Sequence, residues 1–471
     1  MDDLLWRDAV GQAAAIRAGE TTAEALTSRT LERIARWNPS LRAYVSVDAE
    51  RALADARAAD AYLAQHGPSS APPFLGVTLS VKDVIGVEGL PTTHSAKVLA
   101  RDVAEADDPL VRRCRAAGFV VVGTTNVPEL CSSMTDSELN GTCRNPWNDA
   151  HTPGGSSGGA GAAVAAGLCA MAHGTDGAGS VRAPASFCGL VGLKPTRGLV
   201  AFSPQETTHP YFGTSGPGLL TRSVRDAAAG LDVMVGVGSA EPAWSPRPDT
   251  AFAAQLRREL PPLRITVSSA FPVGQVDPEL VATVERTGEL LASLGHVVEP
   301  AAPDWWTILA AALLPMDVPG GAGLMDAADE HLLEPRNRPM VQRLRAMTVV
   351  EHAQLVATAQ RAAREFTRFW DAHDVLVTPT FGVLPPLVTW APWDLPMEEH
   401  HALFAGVANF AHPFNISGQP ALSLPLGWSS AGLPMGVQLA GRHLDEALLL
   451  RLAAQLEAAQ PWADRRPPGL N

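Results

Sequence analysis

Residues 3–66 carry a helical pattern of apolar positions. Leu4, Leu5, Ala9, Ala13 and Ile16, then Leu26, Leu31 and Ile34, recur at helical spacing, and an alanine-rich run follows over 48–66. This predicts an N-terminal layer of helices packed against a core. Pro72 and Pro73 end the layer. The apolar stretch 75–83 then reads as a buried strand with Lys82 and Asp83 at its end. A helix is expected over 109–117, stopped by Gly118, and a strand over 119–123 leads into Thr124, Thr125 and Asn126. Such alternation predicts an α/β fold, in which ligands bind beyond the ends of the strands.

Residues 160–170 are almost all small and apolar, which suits a helix lying close on a sheet and too short to cross a membrane. A helix over 223–236 begins with Ser223 as its cap and Asp226 three residues on. Residues 236–250, rich in Gly, Pro and Ser, read as a surface loop. A strand at 263–268, a helix opened by Asp277 and Pro278 and stopped at Gly295, and a strand at 296–298 form a further unit. Residues 302–410 are the least regular, crossed by a helix over 350–373 and a strand over 375–378. Their aromatic residues, Trp305, Trp306, Trp370, Phe381, Trp390 and Trp393, are expected in core more than in pocket. Strands at 421–425 and 434–440 and an amphipathic helix over 445–459 close the chain.

Composition narrows the function classes. The 471 residues are 46% hydrophobic and 18% charged, which fits a globular chain with a large core rather than a disordered one. A net charge of −13 argues against nucleic acid as a partner, since phosphate backbones need clustered Lys and Arg. Five cysteines without C-x-x-C spacing, behind an N-terminus with no basic-then-apolar leader, predict a reducing cytoplasm. No apolar run has the length of a membrane span.

The basic residues are unevenly chosen. Of 36, only Lys82, Lys97 and Lys194 are lysine. Arginine keeps its proton in any protein environment, whereas a buried lysine can shed one, so lysine at a strand end marks a place where proton transfer is wanted. Lys82 fits that description, while Lys97 and Lys194 read equally well as packing.

Serine supplies the other half of the chemistry. Gly154, Gly155, Gly158 and Gly159 surround Ser156 and Ser157, and a second glycine-rich loop is expected from Gly174 to Ser180. Neither a P-loop lysine nor a G-x-G-x-x-G entering a helix is present, so phosphate cradling is disfavoured. Gly155 to Gly159 satisfies G-x-S-x-G, which would make Ser157 the nucleophile of an esterase-like hydrolase. A third reading joins both loops to Lys82 as a Ser-Ser-Lys relay with lysine in the place of histidine.

At this point the residues resemble the amidase signature family. The resemblance rests on Pro153-Gly154-Gly155-Ser156-Ser157-Gly158-Gly159, Gly174-Thr175-Asp176 to Ser180, and Cys188-Gly189-Leu190-Val191-Gly192-Leu193-Lys194-Pro195-Thr196. It extends to Lys82-Asp83, Gly123 to Glu129, Asn415 to Pro420 and Gly436-Val437-Gln438. It implies a single α/β/α domain over 1–471 with a large mixed sheet, a helical layer at 1–66, a catalytic core at 75–200 and a variable pocket region at 302–410. It implies hydrolysis of carboxamide bonds without metal or organic cofactor. By position, Ser180 resembles the acylated nucleophile, Ser156 the bridging serine with a cis peptide, and Lys82 the base. The N–H groups from Gly177 to Ser180, with Gly177, Ala178 and Gly179 foremost, resemble the oxyanion hole, and Ser157, Asp176 and Arg182 the supports behind it. Ala178 departs from the family's usual glycine pair and is expected to fit only at negative φ.

The chemistry calls for these types. An amide needs a deprotonated hydroxyl to attack it, a base to take the proton, and an acid to return it to a poor amine leaving group. Within the family, residues 415–425 and 460–471 look most like the 6-aminohexanoate cyclic-dimer hydrolase type. The substrate expected is a small-molecule amide, with no membrane partner, and a homodimer is compatible with the resemblance. The alternative within the family is the glutaminase subunit of a transfer-RNA amidotransferase.

Overall fold

Eleven strands form one mixed sheet in the computed structural model, which describes residues 2–201, 214–236, 248–312 and 327–470. In chain order these are β1 (Tyr44–Val47), β2 (Thr78–Lys82), β3 (Val120–Thr125), β4 (Met171–Asp176), β5 (Val191–Lys194), β6 (Gly216–Thr221), β7 (Arg264–Val267), β8 (Val297–Pro300), β9 (Val375–Pro379), β10 (Ala421–Trp428) and β11 (Pro434–Ala440). Across the sheet the order is β1-β3-β2-β4-β6-β5-β10-β11-β9-β7-β8. β2 lies parallel between β3 and β4, and β7 parallel between β8 and β9; the remaining pairs are antiparallel. The expected α/β architecture with a large mixed sheet is therefore observed.

Alternation along the strands feeds two apolar layers. Leu79, Val81, Val121, Leu193 and Val437 pack in one, and Val120, Val122, Ala172 and Leu220 in the other, so both faces of the sheet are covered. A third cluster, with Trp305, Phe366, Trp370, Phe410 and Phe414, lies under the helices Trp305–Ala312 and Val349–Thr367. Of the six aromatic residues named in that region, Trp305, Trp370 and Phe381 are buried, Phe381 also lining a cavity, while Trp390 and Trp393 are half-buried and Trp306 stands exposed. Among the described residues no helix is long and apolar enough to cross a membrane.

Three expectations need correction. The first 66 residues are not all helix: Tyr44–Val47 is an edge strand antiparallel to β3, and a four-residue segment is too short for its period to stand out from helical neighbours. The second glycine-rich segment does not begin as a loop at Gly174, because β4 runs through Asp176 and the loop starts at Gly177. Gly174 is there for close packing, since a Cβ on it would lie 2.9 Å from Ser157 Oγ. The helix expected over 160–170 is Gly158–Ala165, and residues from Met171 belong to β4. The surface loop expected at 236–250 falls mostly outside the described residues.

β2 and β4 set up the site. They run parallel with Ser80 opposite Ala172, so Lys82 and Asp176, their last residues, emerge at the same edge. The helix Gly158–Ala165 is buried along its whole length and brings the first serine loop to that edge. A Cβ on Gly159 would sit 2.3 Å from the Asn126 amide nitrogen, so only glycine permits this approach.

Candidate active site

Lys82 is fully buried. Its Nζ lies 2.7 Å from Ser156 Oγ and 2.7 Å from Thr175 Oγ1, with the Thr175 carbonyl at 3.4 Å. Asp83, its sequence neighbour, points elsewhere and accepts the N–H and hydroxyl of Thr93. Burial pushes the Asp83 carboxyl up to about 7. Among the described residues no carboxylate pairs with Lys82. The other two lysines have structural surroundings: Lys97 pairs with Glu138 at the surface, and buried Lys194 donates to the Pro195 carbonyl at 2.9 Å. Burial, reinforced by Arg182, lowers Lys194 to about 7.

The two serine segments meet around this lysine. Ser156 follows a cis Gly155–Ser156 peptide and is buried against Lys82. Ser157 points into the core, where its Oγ donates to the Thr175 carbonyl at 3.2 Å and accepts the Thr175 N–H at 3.3 Å. Its own N–H donates to the Ser180 carbonyl at 3.1 Å, which ties the first loop to the second. Ser180 is partly exposed and lines a cavity together with Gly155 and Ala178. This geometry is unfavourable to Ser157 as a nucleophile, because its hydroxyl is wholly buried and already spent on Thr175.

Asp176 and Arg182 form the frame of the second loop. Asp176 accepts the N–H of Gly179 at 2.8 Å and of Val181 at 3.1 Å, and it holds Arg182 through bonds of 2.9 and 2.8 Å. Arg182 also reaches Gln438 Oε1 at 2.7 Å, Asn415 Oδ1 at 2.6 Å and the Ala411 carbonyl at 2.8 Å. Burial alone would raise the Asp176 carboxyl, but the Arg182 guanidinium overrides it and holds the group well below the usual carboxylate range. The pair is thus an ionised, fully hydrogen-bonded clamp, the only form in which charges are stable at this depth.

The clamp revises one expectation. Of the three N–H groups expected in the oxyanion hole, that of Gly179 is already donated to Asp176. Those of Gly177, Ala178 and Ser180 have no acceptor among the described residues. The same peptide is held at its other end, where Asn409 Nδ2 donates to the Ala178 carbonyl at 3.1 Å. Asn409 is itself fixed, its Oδ1 accepting the N–H groups of Ala411 and His412 at 3.0 and 3.1 Å. Positive φ falls on Gly179, at +113°, and not on Ala178, which therefore fits the loop without strain.

Sequence reasoning assigns no role to Thr175, which enters only as part of a motif, and does not pick out Asn409 at all. Thr175 carries the signal of a strand residue two places from His173 on the same face, but nothing in its type separates it from other strand threonines. Asn409 lies 229 residues and more from the loop it supports, and only the fold brings it there.

The cavity in front of Ser180 has a volume of about 570 Å³, in the range of small-molecule sites. Met134, Met340, Phe381, Met397 and Phe404 give it an apolar wall. His400 and His412 also line it, and burial lowers each to about 4, so both are neutral near pH 7.

The model of the Amidase family matches residues 25–450. The 6-aminohexanoate-cyclic-dimer hydrolase of Pseudomonas sp. (strain NK87) is 38% identical over 99% of this chain and 97% of its own. The acylamidase of Rhodococcus erythropolis is 34% identical over 99% of this chain and 98% of its own. A solved structure of 6-aminohexanoate cyclic dimer hydrolase complexed with substrate superposes with a TM-score of 0.88, at 36% identity, covering 99% of this chain and all of that one.

Proposed function

This chain belongs to the amidase family and hydrolyses amide C–N bonds, and we propose that it does so through an acyl-enzyme on Ser180 with Ser156 and Lys82 as the proton relay. The observation that carries this reading is the 2.7 Å contact of Lys82 with Ser156, in a buried place where no carboxylate among the described residues pairs with the lysine. What separates Lys82 from buried Lys194, which also has no acid partner among the described residues, is its contact with a serine hydroxyl; a lysine kept as a base must be free to be neutral.

In the first half-reaction neutral Lys82 takes the proton of Ser156 as Ser156 takes that of Ser180. Ser180 Oγ bonds to the carbonyl carbon, and the carbonyl oxygen becomes an oxyanion that receives hydrogen bonds from the open N–H groups of Gly177, Ala178 and Ser180. Collapse breaks the C–N bond while the proton returns through Ser156 to the leaving nitrogen. An amine departs and an ester remains on Ser180. In the second half-reaction water adds to that ester and gives its proton to the same relay. The bond to Ser180 then breaks, the serine oxygen regains a proton, and the acid leaves.

The substrate proposed is a small linear or cyclic amide, supported by the names of the relatives and by a cavity of about 570 Å³. The enzyme is proposed to act without a partner subunit and in the cytoplasm; the match over nearly the full length of a hydrolase supports the first of these. Treatment with a fluorophosphonate followed by peptide mass spectrometry tests the assignment. Label on the Ser180 peptide is expected, and label on Ser157 with Ser180 unmodified would overturn it.

A further inference from the structure

We propose that the catalytic cavity selects amides whose apolar chain ends in a carboxylate, and that Arg343 is the residue that selects them. The inference rests on Ser180 as the acylated residue and adds the class of substrate.

Two helices build the wall opposite the serines. The helix Met397–Ala405 turns Met397, His400, His401, Phe404 and Ala405 to the cavity, at helical spacing, while Glu398 and Glu399 stand exposed on its other side. The helix Arg338–Ala346 presents Met340 and Arg343, one turn apart on the same face. In a chain of net charge −13, the described residues that line this cavity include no carboxylate and one arginine.

That arginine differs from its neighbours. Arg336 pairs with Glu334, Arg338 donates to the Leu333 and His331 carbonyls, and Arg345 pairs with Glu330. Arg343 lines the cavity while exposed to solvent, and it has no hydrogen bond or ion pair to any described group, so its five donors are open to water or a ligand. A guanidinium matches a carboxylate through two parallel hydrogen bonds, so an apolar chain running past Met340 would bring its terminal carboxylate to the one arginine among the described lining residues. A terminal ammonium would meet that same positive charge and pay to leave water.

Matched substrates on purified full-length enzyme test this. On the acyl side the set is adipic acid mono-p-nitroanilide, hexanoic p-nitroanilide and 6-aminohexanoic p-nitroanilide. On the amine side it is N-butyryl 6-aminohexanoate, N-butyryl hexylamine and N-butyryl 1,6-diaminohexane. In one of the two sets, kcat/KM for the carboxylate member should exceed that for the ammonium member by about tenfold or more, the scale of one charge-assisted contact. Arg343→Gln should bring that ratio to within about twofold of one. A preference for the ammonium member, or a carboxylate preference that survives Arg343→Gln, overturns the proposal. Because the neutral amides report on Ser180 separately, loss of all hydrolysis would point to the relay and not to Arg343.

Discussion

Lys82 Nζ and Ser156 Oγ are 2.7 Å apart inside the protein, and the acid next to the lysine in sequence, Asp83, is turned away onto Thr93. That separation gives the site its character. If Asp83 faced the lysine, the pair would be held charged and Lys82 could accept nothing. Its hydrogen-bond partners among the described residues are the hydroxyl of Ser156 and the hydroxyl and carbonyl of Thr175, groups that are satisfied by a neutral amine as well as by a charged one.

Asn409 holds the Gly177–Ser180 loop, the proposed oxyanion loop, from outside it. It fixes the Ala178 carbonyl while Asp176 fixes the Gly179 N–H of the same peptide, and the donors on either side inherit that orientation. Direct loss of one oxyanion donor costs roughly a hundredfold or more in turnover, so loosening the peptide by Asn409→Ala should cost about tenfold. Steady-state kinetics should show the loss in kcat with KM nearly unchanged; a rise in KM at normal kcat would mean that Asn409 binds substrate instead.

Gly179 and Ala178 should respond in opposite ways to substitution. Gly179 stands at φ +113°, and a Cβ there would lie 2.8 Å from Phe381 and 2.9 Å from Ala411. Gly179→Ala should therefore destabilise the fold by about 1–3 kcal/mol and nearly abolish activity. Ala178→Gly, which replaces a residue at negative φ, should alter thermal stability little. Thermal unfolding of both variants, alongside turnover, checks the contrast.

His412 lines the cavity and is the natural rival to Lys82 as a base. Burial, with Arg182 adding to it, lowers its imidazole to about 4, against about 6.5 in an unfolded chain. As pH falls below 6.5 the unfolded chain binds the proton first, so the residue's contribution to stability is complete above about 6.5 and is lost as pH falls toward 4. His412→Gln should remove that dependence, worth about 3 kcal/mol between those limits, on denaturant unfolding measured at several pH values. The pH profile of kcat/KM from 5 to 8 should be the same in the variant and the wild type. A limb that vanishes with His412 would make histidine the base.

Most of the sheet could be read from strand and helix periods, and the serine loops with Lys82 from residue types at fixed spacing. What escaped has a common physical reason. β4, β5 and β6 contain glycines that weaken the strand pattern, because their backbones approach neighbouring side chains closely, as Gly174 does with Ser157. The commitment of the Gly179 N–H to Asp176 depends on how a turn of a few residues is folded, and the positions of Asn409 and Arg343 depend on chain crossings of more than a hundred residues. Spacing along a sequence carries local geometry well and such long-range contacts hardly at all.

Turnover of Lys82→Arg tests the relay most directly. Arginine keeps the positive charge and the hydrogen-bonding capacity of lysine but cannot give up its proton at any workable pH. With folding checked by circular dichroism and thermal unfolding, Lys82→Arg should lose several orders of magnitude in kcat, as should Lys82→Ala. A folded Lys82→Arg enzyme with near-normal turnover would contradict the account, because a lysine that arginine can replace is not a base.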